Sequence, residues 1–157
     1  MLWAAVVAQR LGFRWEESLS LGKALAGLNA QSKGRRLGIF KPHEEKTKAA
    51  REREHGEQFW IELCGRPVAA KNTADGIRAV SGRAVVTAEG AEAYLETKFG
   101  DHLDAARAAM TTLAHAYRPR ELATEAFALY EAFGKRTYSR LLTPPENRLF
   151  CTSSAGT

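Results

Sequence analysis

Cysteine is scarce in this chain: Cys64 and Cys151 are the only two among 157 residues. Two thiols cannot build a disulfide framework or supply a zinc finger. Long apolar runs are missing too. The longest nearly uninterrupted one, Leu2 to Ala8, is far short of the ~20 residues a membrane helix needs. It also fails as a secretion signal, because no Lys or Arg precedes it and Gln9 and Arg10 follow where a small-residue cleavage region belongs. Glu16 and Glu17 come too early for a mitochondrial presequence, which is poor in acids. These absences make the cytoplasm the expected location, no membrane an expected partner, and both cysteines free thiols. Hydrophobic residues at 45% and charged residues at 26% exclude wholesale disorder and fibrous repeats. What remains is a globular chain of ordinary length, able to bury roughly 70% of the surface its unfolded form exposes.

Charge is present but unevenly placed. The formal net charge is +5, which favours acidic partners without naming one. Residues 33–53 hold eight bases against three acids, so the whole excess lies in that one segment.

Four zones follow from the pattern: 1–40, an N-terminal helical hairpin; 41–57, a charged connector; 58–140, a β-hairpin and helices; and 141–157, a patternless tail. The first zone opens with a helix over Leu2 to Arg10, ended by Gly12, and a second over Glu16 to Ala30. In the second, two apolar stripes leave only Glu16, Ser20, Lys23 and Gly27 as a polar face, so the helix is mostly buried. Gly22 and Gly27 each cost about 1 kcal/mol there relative to Ala, which predicts close backbone packing at both. The connector is apolar only at Ala49 and Ala50, so it is a solvated helix or a linker.

The third zone predicts strands over Phe59 to Leu63 and Val68 to Lys71, joined by Cys64-Gly65-Arg66-Pro67. Thr73 and Asp75 predict the cap of a short helical turn reaching Val80, followed by a third strand over Arg83 to Val86. Three helices come next: Thr87 to Gly100, Asp101 to Tyr117, and Pro119 to a stop at Gly134. The expected fold is therefore mainly α with a small β element, an α+β arrangement.

Sites of chemistry are few. His43, His55, His102 and His115 form no ligand pair on one helical face, so no metal or other cofactor is expected. Cys64 has Arg66 nearby but no base that sequence would bring beside it, and reads as a half-buried structural thiol. Neither Leu21-Gly22-Lys23 nor Ser32-Lys33-Gly34-Arg35-Arg36 has the spacing of a phosphate loop. The second stretch offers three cations and flexible backbone to a phosphate; its plainer reading is a basic helix end with Gly34 in the left-handed conformation.

Ala8-Gln9-Arg10-Leu11-Gly12 carries the small residue and glycine of a helix-turn-helix, with Glu16 to Leu28 as recognition helix. Against this, Leu19 falls one place late for the core, and Glu16, Ser20 and Lys23 read bases poorly. A plain helical hairpin is the stronger reading. Arg66, Lys71, Arg78 and Arg83 add a second basic patch like a wing beside a helical DNA-binding core, by analogy of fold alone.

Leu2-Trp3-Ala4-Ala5-Val6-Val7-Ala8 through Leu11-Gly12, and Ala26-Gly27-Leu28-Asn29-Ala30-Gln31-Ser32-Lys33-Gly34, resemble segments of a group of short, uncharacterised bacterial cytosolic proteins. The likeness extends to about Phe133, and it implies no catalytic residue. The residues themselves favour a non-catalytic, nucleic-acid-associated or regulatory protein. Its phosphate-binding cations would be Lys33, Arg35, Arg36, Lys41, Lys46, Lys48, Arg51, Arg53 and Arg66, and its partner DNA or RNA. The alternative is a protein-interaction module or homo-oligomer using Phe127, Tyr130 and Phe133. An enzyme is the weakest reading, since no acid, base and nucleophile can be drawn together from spacing.

Overall fold

The computed structural model describes residues 1–38 and 58–142. Among them the protein is mainly helical with a small antiparallel sheet, as the sequence predicts. It forms two compact units, the first spanning Met1–Ala126 and the second beginning at Phe127.

Helix α1 (Leu2–Arg10) buries every residue from Leu2 to Ala8. A helix apolar all round must lie inside, and α1 is packed by α2 (Trp15–Arg36) and by α4 (Leu103–His115). The crossing of α1 and α2 is tight at Gly22, where a Cβ would come within 2.8 Å of the Ala5 backbone nitrogen. The predicted close approach is therefore real at Gly22. At Gly27 it is not: that position is exposed and a Cβ there would meet nothing within 4 Å.

Strands β1 (Phe59–Leu63), β2 (Arg66–Thr73), β3 (Gly76–Ser81) and β4 (Ala84–Val85) form a meander in the order of the chain. The β1–β2 turn is two residues, Cys64 and Gly65, at φ of 54° and 75°. Positive φ at both central positions is what a tight hairpin demands. Pro67 sits in β2 opposite Glu62, but β3 pairs with β2 only from Ala70 onward, so its missing N–H leaves no ladder bond unmade.

Two local expectations are corrected. Thr73 and Asp75 cap no helical turn: they lie at the β2–β3 hairpin, where the Thr73 hydroxyl donates to the Gly76 carbonyl at 2.7 Å and Gly76 takes φ of 102°. β3 thus occupies Gly76–Ser81, and the expected strand near Arg83 shrinks to the short β4. Second, α2 does not stop at Ala30, and Gly34 lies within it. The left-handed residue after the helix is Gly38, at φ of 73°.

Helix α3 (Ala88–Phe99), a 3-10 turn (Gly100–His102) and α4 match the predicted punctuation closely. Helix α5 (Pro119–Leu142) passes through Gly134 rather than ending there. Its first turns close the core, with Leu122 and Ala126 buried and the Trp3 indole donating to the Ala126 carbonyl at 3.0 Å. No helix among the described residues is long and apolar enough to cross a membrane.

The outer edge of β3 is closed by a helix. β4 pairs only with Val80 and Ser81, so the edge N–H groups at Ile77 and Ala79 need other acceptors. Helix α2 supplies them one turn apart. The Glu17 carboxylate accepts from Ile77 at 3.0 Å, and the Ser20 hydroxyl accepts from Ala79 at 2.8 Å while donating to the Val86 carbonyl at 2.6 Å. Glu17 also accepts from the Arg14 backbone N–H at 2.9 Å and pairs with the Arg14 guanidinium at 3.3 Å. Burial by itself would push this carboxyl up. The Ile77 N–H, the Arg14 N–H and the Arg14 guanidinium outweigh it, and the group is held below its ordinary value.

Candidate functional site

The basic end of α2 is built by the helix itself. Because α2 runs on to Arg36, Lys33, Arg35 and Arg36 stand on its last turn, where cations complement the helix dipole. All three are exposed, and no carboxylate among the described residues pairs with them. The backbone of 32–36 is helical, so it offers no loop of free N–H groups to an anion. Any anion binding here belongs to the side chains.

Arg66 joins this group from 30 residues away in sequence. It starts β2 on the same face as the buried Val68 and Ala70, and its Nη1 donates to Ser32 Oγ at 2.8 Å and to the Leu28 carbonyl at 3.4 Å. The hairpin thereby delivers a fourth cation, the third guanidinium, to the turn of α2 that precedes the three exposed ones. Four of the nine sequence-derived candidates, Lys33, Arg35, Arg36 and Arg66, are thus brought to one end of one helix. Lys41, Lys46, Lys48, Arg51 and Arg53 lie outside the described residues.

The wing-like patch divides. Arg66 faces the core side of the sheet, whereas Lys71 and Arg78 oppose each other across β2 and β3 on the other face, which also carries the half-exposed Trp60. Arg83 is exposed in the β3–β4 turn. These four side chains therefore do not make one surface.

The polar face imagined for a recognition helix is also divided. Ser20 is fully buried beneath Ala79 and Val86, and Lys23 lies against α3 with its Nζ close to Gly90. Glu16 alone of the three is exposed. A groove of duplex DNA could not reach that face without removing β3.

Cys64 is buried at the hairpin turn, and desolvation pushes its thiol up to about 12, offset in small part by the nearby terminal ammonium. Arg66 is directed to Ser32. A thiol so strongly protonated is a poor nucleophile. Among the described residues no three His, Cys, Asp or Glu side chains gather as a metal site would require.

One group of cations escaped sequence reasoning. Arg10 and Arg107 come together in a cleft between α1 and α4 with Gln9, Thr111 and His115. Arg10 and Arg107 are far apart in sequence and neither stands in a basic run. Arg10 ends α1 and Arg107 lies in the first half of α4, and spacing within one helix cannot pair them. No protein-family model, curated protein or solved structure matches the chain.

Proposed function

We propose that the protein is a non-catalytic, cytoplasmic, nucleic-acid-associated protein that holds the phosphate backbone through the basic end of α2. The observation that carries this reading is the exposure of Lys33, Arg35 and Arg36 without carboxylate partners among the described residues, beside Arg66. Unpaired cations at a helix end bind phosphates without reading sequence, and binding by counterion release falls steeply with salt.

The test is fluorescence anisotropy with labelled single-stranded and duplex DNA and RNA of mixed sequence, at several salt concentrations. Binding is expected with little preference among sequences. Replacing Lys33, Arg35 and Arg36 together by Gln should flatten the dependence of log affinity on log salt by about 2–3 units, near one per lost phosphate contact. Absence of binding at low salt, or an unchanged slope in the triple variant, overturns the proposal.

A second reading has its own observation. Tyr130 and Phe133, at 42% and 48% exposure, stand one turn apart on α5. Large aromatics left at the surface on one helix face suit a helical interface between two copies. Light scattering that finds a monomer at high concentration would end that reading.

A further inference from the structure

The cleft between α1 and α4 has a volume of about 380 Å³ and is lined by Val6, Gln9, Arg10, Arg107, Thr111, Ala114 and His115. Its size falls at the small end of ligand pockets, roughly 300–1,000 Å³. The lining is unusual in sign: two guanidiniums, an amide, a hydroxyl and an imidazole, with no carboxylate.

Each arginine is placed rather than free. The Arg107 guanidinium stacks on the Trp15 ring with its central carbon 3.5 Å from the centroid, and its Nη2 reaches Gln9 Oε1 at 3.5 Å. Stacking fixes the plane of the fork while leaving its edge available. Arg10 Nε is buried with no hydrogen-bond partner among the described residues.

The charge balance points the same way. Arg10 stands in the last turn of α1 and His115 in the last turn of α4. Two helix C-termini bring about half a negative charge each, roughly −1 together. The two guanidiniums bring +2. From these groups the cleft keeps an excess of about one positive charge, which a single anionic head would balance. Val6 and Ala114 supply an apolar flank for whatever the head is attached to.

We infer that this cleft binds a small molecule bearing one oxyanion head, a carboxylate or a phosphate, clamped between Arg10 and Arg107. The fork geometry of guanidinium suits both heads equally, since each presents paired oxygens. The site does not depend on the nucleic-acid reading. Trp15 opens α2 and Arg36 closes it, so the two places lie about 30 Å apart along the helix.

The experiment is a titration of ¹⁵N-labelled protein with sodium phosphate and, separately, sodium benzoate, with ionic strength held constant by sodium chloride. Saturable shifts are expected at the amides of Arg10, Thr111 and His115 with at least one anion. Saturation by phosphate alone assigns a phosphate ligand, and by benzoate alone a carboxylic acid. Arg10→Gln and Arg107→Gln should each weaken binding about tenfold, whereas Arg35→Gln should leave it unchanged. If Arg107→Gln unfolds the protein by losing the Trp15 stack, Arg10→Gln and the exposed His115→Gln carry the test, with a weaker effect expected at His115. Linear, non-saturating shifts with both anions up to about 50 mM would overturn the inference. So would saturation that the folded Arg10→Gln variant leaves intact.

Discussion

Alanine at two glycines of the same helix should have opposite effects. Helix propensity alone says that Gly22→Ala and Gly27→Ala each gain about 1 kcal/mol. The surroundings disagree at one of them. At Gly27 a new Cβ enters open space, so the gain should survive and raise Tm by about 3 °C. At Gly22 the new Cβ would lie 2.8 Å from Ala5 N, 3.1 Å from Ala5 Cα and 3.1 Å from Ala5 Cβ. The closest of these atoms is backbone of the buried helix α1, which cannot swing aside as a side-chain tip would. Overpacking of this kind costs about 2–3 kcal/mol. Set against the propensity gain, a net loss of about 1–2 kcal/mol remains, lowering Tm by about 3–6 °C. Paired thermal and urea melts followed by circular dichroism would measure both variants. Adding Ala5→Gly sharpens the test, since it removes only the 3.1 Å Cβ contact and should restore little of the loss. Equal stabilisation by the two alanines would refute the reasoning, and so would full rescue by Ala5→Gly.

Other consequences are as direct. Glu17→Gln should destabilise the protein by about 1.5–3 kcal/mol at pH 7, since charge-assisted bonds to Ile77 and Arg14 are weakened. Because the folded carboxyl titrates below its ordinary value of 4.5, its contribution is complete above that pH and fades as pH falls through the folded value. The gap between wild type and variant in urea midpoints should therefore narrow below pH 4.5, and a constant gap contradicts the assignment. Ser20→Ala strands the Ala79 N–H and the Val86 carbonyl together, for a loss of about 2–3 kcal/mol in the same melts. In a Cys151→Ser background, Cys64 should alkylate about a thousandfold more slowly at pH 8 than an ordinary thiol, three pKa units below it. Fast modification of the folded protein would count against the buried thiol.

Sequence patterning was sufficient where a single element decides its own fate. The seven-residue apolar run of α1, the hairpin around Cys64-Gly65 and the starts of α3, α4 and α5 are local decisions written in periodicity, turn residues and caps. It failed where two elements decide together. Glu17 sits in a strongly buried helix because its carboxylate meets the Ile77 N–H of a strand 60 residues on, which no helical wheel contains. Thr73 and Asp75 look like a helix cap because short polar side chains satisfy backbone at either a helix start or a hairpin turn. Gly34 and Gly134 look like stops, yet both helices run on: Gly34 is buried, whereas at Gly134 a Cβ would meet nothing within 4 Å and neighbouring propensity is the remaining cause. The basic end of α2 was legible as charge, but the arrival of Arg66 beside it was not, because strand register had to turn it toward Ser32.

The two cation groups at the ends of α2 should act independently, and the reason lies in what separates them. Roughly 30 Å is about three to four Debye lengths at physiological salt, so neither field is felt at the other end. A polyanion long enough to span them would also need a track of cations between. α2 offers no such track: its single cation between the ends is Lys23, half-buried against α3, while Glu17 to Gly22, Ala24 and Leu25 are buried beneath α1 and β3. Nucleic acid held at Lys33, Arg35 and Arg36 should therefore leave Arg10 and Arg107 untouched. Replacing those two arginines by Gln should leave the salt dependence of nucleic-acid binding unchanged, while replacing the three at the helix end flattens it. A slope reduced by about two units in the Arg10/Arg107 variant would mean that one polyanion engages both ends, and the division of the molecule into a backbone-binding end and a small-anion cleft would fail.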